Sequence, residues 1–186
     1  YRKGWMHGIE VFNEKEWYPE ALQWALDKNL AITGNSDIHD VYNKRYNREL
    51  FPIRPLTLVF AKERTEASLK EAMFARRTAT LFFNRLIGPE ALINPLVSRS
   101  IVVSEPFLYQ DGYVYLEAEN RSDIEFTLLK VESDDSGIPA RVILPRRSKV
   151  VFRVKQQPDK AVTYSFRLEN VWVGVEKMAE FSFVVK

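Results

Sequence analysis

Hydrophobic and polar positions along the 186-residue chain fall into two textures that meet near residue 97. Residues 8–13 (GIEVFN) are a short, mostly apolar run and predict a buried strand. Residues 17–28 then place Trp17, Ala21, Trp24 and Ala25 at helical spacing, with Pro19 in the first turn and Asn29 as the stop. Leu30 to Thr33 predicts a second strand, which ends in the polar run Gly34-Asn35-Ser36-Asp37-Ile38-His39-Asp40. Leu56 to Phe60 predicts a third strand. Thr65 is the expected N-cap of a helix reaching about Arg76, with Leu69, Ala72 and Met73 on its buried side, and Ala79 to Phe83 predicts a fourth strand. Alternation of this kind predicts an α/β layer with a parallel or mixed sheet.

After Pro95 the helical period disappears. Residues 101–109, 112–119, 124–132, 140–144, 149–155, 161–168, 171–175 and 180–185 are short runs rich in Val, Tyr, Phe and Leu. Turn signals separate them, among them Asn120-Arg121-Ser122-Asp123, Asp134-Asp135-Ser136-Gly137 and Gln157-Pro158-Asp159. Strands at this spacing predict an antiparallel β-sandwich of about seven or eight strands and of immunoglobulin-like size. The expected domains are therefore residues 1–97 and residues 98–186. The first holds too few βα-type units to close an α/β barrel, which takes about 250 residues.

Composition narrows the classes. At 46% hydrophobic and 28% charged residues the chain is an ordinary globular sequence, so disordered, collagen-like and disulfide-scaffold classes are excluded. The formal charge is only +2, which supplies no general field for nucleic acid. With no cysteine, thiol nucleophiles, disulfides and thiolate metal sites are excluded. The apolar stretches are a handful of residues long, too short for a transmembrane helix. A chain that opens at Tyr1 and runs directly into strand-like sequence is expected to be a piece of a longer protein.

The most informative chemistry lies between Thr33 and Asp40. In extended backbone, residues two apart point the same way, so Asp37 and His39 can present a carboxylate and an imidazole to one point. Hard oxygen with borderline nitrogen suits Zn, Mn or Fe. The alternative is an N-capping or solvated Asp beside a surface His. Glu10 is an ionisable group within an apolar strand, costly to bury without a cation or donors, unless it faces solvent from an edge. Asn13 ends the same strand, and sequential strands usually neighbour each other, which brings Glu10 and Asn13 near Asp37 and His39. His7 precedes the strand and is expected at the surface or in packing.

The ordered series GIEVFN, Tyr18-Pro19-Glu20-Ala21-Leu22, AITGNSDIH and SLKEAMFARRTAT resembles the last part of the PHP (polymerase and histidinol phosphatase) family of metal-dependent phosphoesterases. The match covers roughly residues 1–95, and the remainder resembles the β-sandwich appended to some bacterial members. The resemblance implies the last βα units of a distorted (β/α)7 barrel followed by an immunoglobulin-like sandwich. It implies Asp37 and His39 as ligands of a cluster of divalent Zn, Mn or Fe, with Asn35 and Ser36 orienting them. Glu10 and Asn13 become catalytic-site residues that support the metals or face substrate. Arg76 or Arg77 could meet a phosphate if either pointed to the pocket. The substrate class implied is a phosphorylated small molecule or nucleotide. The family's opening H-x-H element and its middle His and Glu ligands are not found here. The resemblance therefore implies that the rest of the PHP domain lies upstream of Tyr1, and that this chain alone cannot close the site.

Two other readings remain open at this point. The many aromatics of the second half could form a carbohydrate or partner surface, with exposure of Trp172 and the alternating tyrosines as the discriminator, and Arg141 with Arg146-Arg147-Ser148-Lys149 could contact an anion. Alternatively, the chain belongs to a degenerate PHP domain without metals. An appended sandwich favours an exported or periplasmic bacterial protein.

Overall fold

The structure, a computed structural model, describes residues 2–39, 54–131, 136–155 and 160–185. Asp40 and the expected turn at 157–159 lie outside them, as do Asp134 and Asp135. The chain forms two compact units, one of Tyr1–Ile93 with Trp172–Lys177, the other of Asn94–Val171 with Met178–Lys186. A single boundary near residue 97 does not contain the return of 172–177 to the first unit.

In the first unit, β1 (Gly8–Asn13) pairs antiparallel with β2 (Glu16–Trp17) and parallel with β3 (Ala31–Asn35). Between β1 and β3 runs α1 (Pro19–Asp27), which buries Leu22 and Ala25. Trp17 belongs to β2, opposite Phe12, and Trp24 points to solvent at 56% exposure with the Lys28 ammonium 5.4 Å from its ring centroid. The inward stripe is Leu22 and Ala25, three residues apart, with Ala21 and Leu26 partly buried against the same cluster, so of the expected helix face Ala21 and Ala25 turn inward and Trp24 does not. Val11, Phe12, Leu22, Ile32, Phe82 and Ile87 are among the residues of one apolar cluster, on which Trp17 and Trp172 also pack. Phe12 sits 4.9 Å from the Trp17 ring and 5.2 Å from Phe82. Each such side chain contributes about 1.5–3 kcal/mol by leaving water.

β4 (Leu56–Val59) is followed by α2 (Glu66–Phe74), and then β5 (Thr78–Phe82) and β6 (Arg85–Ile87). The Thr65 hydroxyl caps α2 by accepting from Ser68 N–H at 3.2 Å. Only Ala72 is buried along this helix, whereas Leu69 and Met73 are 42% and 43% exposed, contrary to their expected inward placement. β4 and β5 pair antiparallel, and so do β5 and β6. This overturns the expected barrel. A (β/α)7 wheel needs each helix to return the chain to a parallel neighbour, whereas α2 joins antiparallel strands and a two-residue turn joins β5 to β6. Among the described residues there are three helices, and strands predominate.

β3 is held from a second side by threonines. Ile32 N–H donates to Thr78 Oγ1 at 2.8 Å and Gly34 N–H to Thr57 Oγ1 at 3.0 Å, while Thr57 Oγ1 donates to Gly34 C=O at 3.1 Å. Backbone groups at this edge are satisfied by hydroxyls in place of another strand. So close an approach requires glycine at 34, where a Cβ would collide with Thr80 Oγ1 and lie 3.1 Å from Thr80 Cβ.

The helical period, expected to disappear after Pro95, runs on to Ser100 in α3 (Glu90–Ser100), with Pro95 inside the helix. Its inward positions Ile93 and Val97 are four apart and fully buried. In the second unit, β7 (Ile101–Val103), β8 (Leu108–Gln110) and β12 (Ser148–Lys155) pair antiparallel with β9 (Tyr113–Asn120). A second sheet contains β10 (Phe126–Lys130), β11 (Arg141–Leu144), β13 (Val162–Trp172) and β14 (Met178–Val185). Val103, Ala118 and Phe152 of the first sheet and Leu128, Phe166 and Phe183 of the second line one apolar interior, so the sheets face each other. At the end of β9 the buried Asn120 carboxamide donates to the carbonyls of Ile124, Leu144 and Pro145 at 2.8–3.0 Å. No helix among the described residues is long and apolar enough to cross a membrane.

Replacing Thr78→Val keeps the volume but leaves a buried Ile32 N–H without its acceptor, an expected loss of about 1–3 kcal/mol in urea unfolding, with Thr78→Ser close to wild type. Gly34→Ala should cost about 1–3 kcal/mol by overpacking. A wild-type midpoint for both Thr78→Val and Gly34→Ala would remove the threonine contact from the account.

Candidate functional site

The carboxyl ends of parallel β1 and β3 gather the candidate residues. Register runs Glu10 to Thr33, then Phe12 to Gly34 and Asn13 to Asn35, so Val11 is an extra residue in β1. This β-bulge sets the site. In a regular strand, residues three apart lie on opposite faces, but the extra residue changes the parity. Glu10, Asn13, Thr33 and Asn35 therefore share one face, while Val11 and Phe12 are both buried at 0% and 2% exposure. Glu16 of β2 is opposite Asn13, so Glu16, Asn13 and Asn35 form a row across three strands.

The half-buried Glu10 carboxylate accepts from both asparagines, Asn13 Nδ2 at 3.0 Å on Oε2 and Asn35 Nδ2 at 2.5 Å on Oε1. Its expected need for donors is met by two carboxamides. Asn35 is also fixed through its carbonyl, which accepts from Glu14 N–H at 3.0 Å. Ser36, part-buried, follows Asn35.

β3 ends at Asn35, and Asp37 has φ 47°. The D-x-H pair is thus not two positions along an extended strand, which corrects the spacing argument. Asp tolerates this left-handed conformation better than most residues. The turn still brings the side chains together, with His39 Nε2 3.2 Å from Asp37 Oδ1. Both are open to solvent, at 76% side-chain exposure for His39 and 48% for Asp37. Two ligand atoms each about 2.0–2.2 Å from a tetrahedral ion lie about 3.3–3.6 Å apart, so the two groups, hydrogen-bonded at 3.2 Å, would have to part slightly to share one cation. No group of three or more His, Asp or Glu capable of holding a metal occurs among the described residues. The pair fits a metal as part of a coordination shell.

Sequence reasoning did not single out Tyr18 and Glu16. Tyr18 O–H donates to Glu16 Oε2 at 2.5 Å, and its backbone N–H donates to Val11 C=O at 3.0 Å. The phenol is held above its ordinary pKa, first by this hydrogen bond and then by desolvation and the negative charges of Glu16, Glu10 and Asp37. The rim is therefore acidic, and the signal was the two-residue strand Glu16–Trp17, too short to read from periodicity.

Other candidates lie elsewhere. His7, before β1, packs edge-on against Phe74 at 4.7 Å. Arg77 donates to Phe60 C=O at 3.0 Å and forms a two-pronged pair with Glu71, so it ties α2 to the end of β4. Arg147 is paired with Asp123, and Arg141 with Glu169, both through ion pairs at the surface. Trp172 packs on the first unit's core, and Arg153 lies over the Tyr113 ring at 4.5 Å.

No family model and no curated protein matches the chain. Among solved structures, it is similar to a two-domain protein from Bacteroides vulgatus containing a predicted PHP-like metal-dependent phosphoesterase, with 33% identity and a TM-score of 0.89. The similarity covers 99% of this chain and 54% of that one, so the chain spans about half the length of this relative.

Glu16→Gln should bring the Tyr18 pKa down toward its ordinary value, because a neutral acceptor favours the phenol less strongly than a carboxylate. Ultraviolet titration of the phenolate, with Tyr18→Phe as the subtraction control, measures it. An unchanged Tyr18 titration would contradict the described rim.

At 33% identity over nearly the whole chain, with the same fold, the likeness supports a PHP-like relationship in both sequence and structure.

Proposed function

We propose that this chain is part of a metal-dependent phosphoesterase, in which Asp37 and His39 supply two ligands of a divalent Zn, Mn or Fe site completed by residues outside the chain. The observation that carries the reading is the 3.2 Å approach of His39 Nε2 to Asp37 Oδ1 on a solvent-open turn at the carboxyl end of β3. Support comes from the PHP-like phosphoesterase named in the similar structure. When bound, such a cation supplies Lewis acidity toward phosphoryl oxygens and lowers the pKa of water.

The chain's own residues perform the holding. Asp37 offers a carboxylate oxygen and His39 its Nε2, and each can turn from the other to an ion without unburying apolar surface. Asn35 and Ser36 link these ligands to β3, and Glu10 with Asn13 keeps the adjoining strand ends in register. The overall reaction adds water to phosphorus and breaks the ester P–O bond, and the departing oxygen takes a proton. The substrate class is a phosphorylated small molecule or nucleotide, whose dianionic group would meet the acidic rim only through the intervening cations.

Full-length protein loaded with Mn or Zn is expected to hydrolyse p-nitrophenyl phosphate or its bis ester. Asp37→Ala and His39→Ala should each remove about one metal equivalent by elemental analysis and abolish turnover. Wild-type metal content in both variants, or no hydrolysis by the loaded protein, would end this reading.

A further inference from the structure

We propose that Glu10 is a positioning residue that governs metal affinity through Asn35, by clamping the exit of β3 from which Asp37 and His39 project. This inference rests on the metal-site reading above and adds how the site is held.

Four observations lead to it. The bulge at Val11 turns Glu10 onto the face of Asn13 and Asn35, where its two carboxylate oxygens take one carboxamide each. Asn35 is the last residue of β3, and the chain turns into a left-handed conformation two residues later, at Asp37. Asn35 is also held through its carbonyl by Glu14 N–H, so side chain and backbone of the hinge residue are both anchored to β1 and its following turn. Asp37 and His39 themselves are exposed, so little packing fixes them. Their mean separation and direction therefore depend on the residue at which the ordered strand ends. A carboxylate with two acceptor oxygens is the group required there, because both asparagines present N–H donors. A glutamine would offer one acceptor and one donor, and one asparagine would have to reverse.

That asymmetry provides the test. Full-length protein is titrated with Zn²⁺ alone against a competing chelator, and thermal midpoints are taken without metal. Glu10→Gln should weaken Zn²⁺ affinity about 10–100-fold, as loss of an orienting partner does. Asn35→Asp alone should weaken it as well, by setting two carboxylates against each other. The double variant Glu10→Gln with Asn35→Asp restores the pairing, since the introduced carboxamide can accept from Asn13 and donate to the new carboxylate opposite it. It should return to within about threefold of wild type, a rescue that a merely structural role would not produce in affinity. Cobalt-substituted protein gives a second readout, with the visible d–d band shifted in Glu10→Gln and recovered in the double variant.

Wild-type affinity in Glu10→Gln, or no recovery in the double variant, would overturn the clamp while Asp37→Ala still loses metal and leaves the metal reading intact. If Asp37→Ala and His39→Ala both retain their full metal, the metal reading fails first and the clamp falls with it.

Discussion

One extra residue in β1 is the constraint on which the site depends. Without the bulge at Val11, strict alternation would send Glu10 and Asn13 to opposite faces, with one of them directed into the cluster around Phe12 and Phe82. With it, two consecutive apolar residues, Val11 and Phe12, go inward and both polar residues stay on the same side. Core packing and polar chemistry are settled by the same irregularity. The cost of half-burying a carboxylate is offset by two donors from residues that end neighbouring strands, so the strands' register and the charge's environment stabilise each other.

The second edge of β3 explains why this end of the sheet holds its place. Threonine hydroxyls from β4 and β5 satisfy the backbone of Ile32 and Gly34, and only glycine admits so close an approach. β3 is consequently gripped on one edge by β1 and on the other by side chains, and it ends abruptly at Asn35. The turn that follows presents Asp37 and His39 to solvent from a base held on both edges. The acidic rim of Glu10, Glu16 and Asp37 beside Tyr18 favours cations over free anions at this surface.

Much of this was legible in the residues, and the omissions have physical causes. GIEVFN and Leu30 to Thr33 read as strands because their apolar runs are buried, although β3 runs on to Asn35, and Thr65 read as a cap because its hydroxyl has a fixed partner. The barrel expectation failed because alternation of strand and helix does not encode strand direction, and α2 joins antiparallel β4 and β5. The β5–β6 turn was hidden because Phe83, at φ 53°, stands where Gly or Asn would signal it, with its ring 4.1 Å from Phe82. Pro95 masked α3, and a two-residue β2 concealed Glu16 and Tyr18. At the site, residue types pointed to Asp37, His39, Glu10 and Asn13, but the bulge that brings Glu10 between two asparagines has no sequence signature.

Anomalous diffraction at the zinc edge from crystals of the full-length protein addresses the central claim most directly. The account predicts a metal peak about 2.0–2.2 Å from an oxygen of Asp37 and a nitrogen of His39, with Glu10 still bonded to Asn13 and Asn35 and outside the coordination shell. A peak ligated by Glu10, or metal bound without Asp37 and His39, would contradict it.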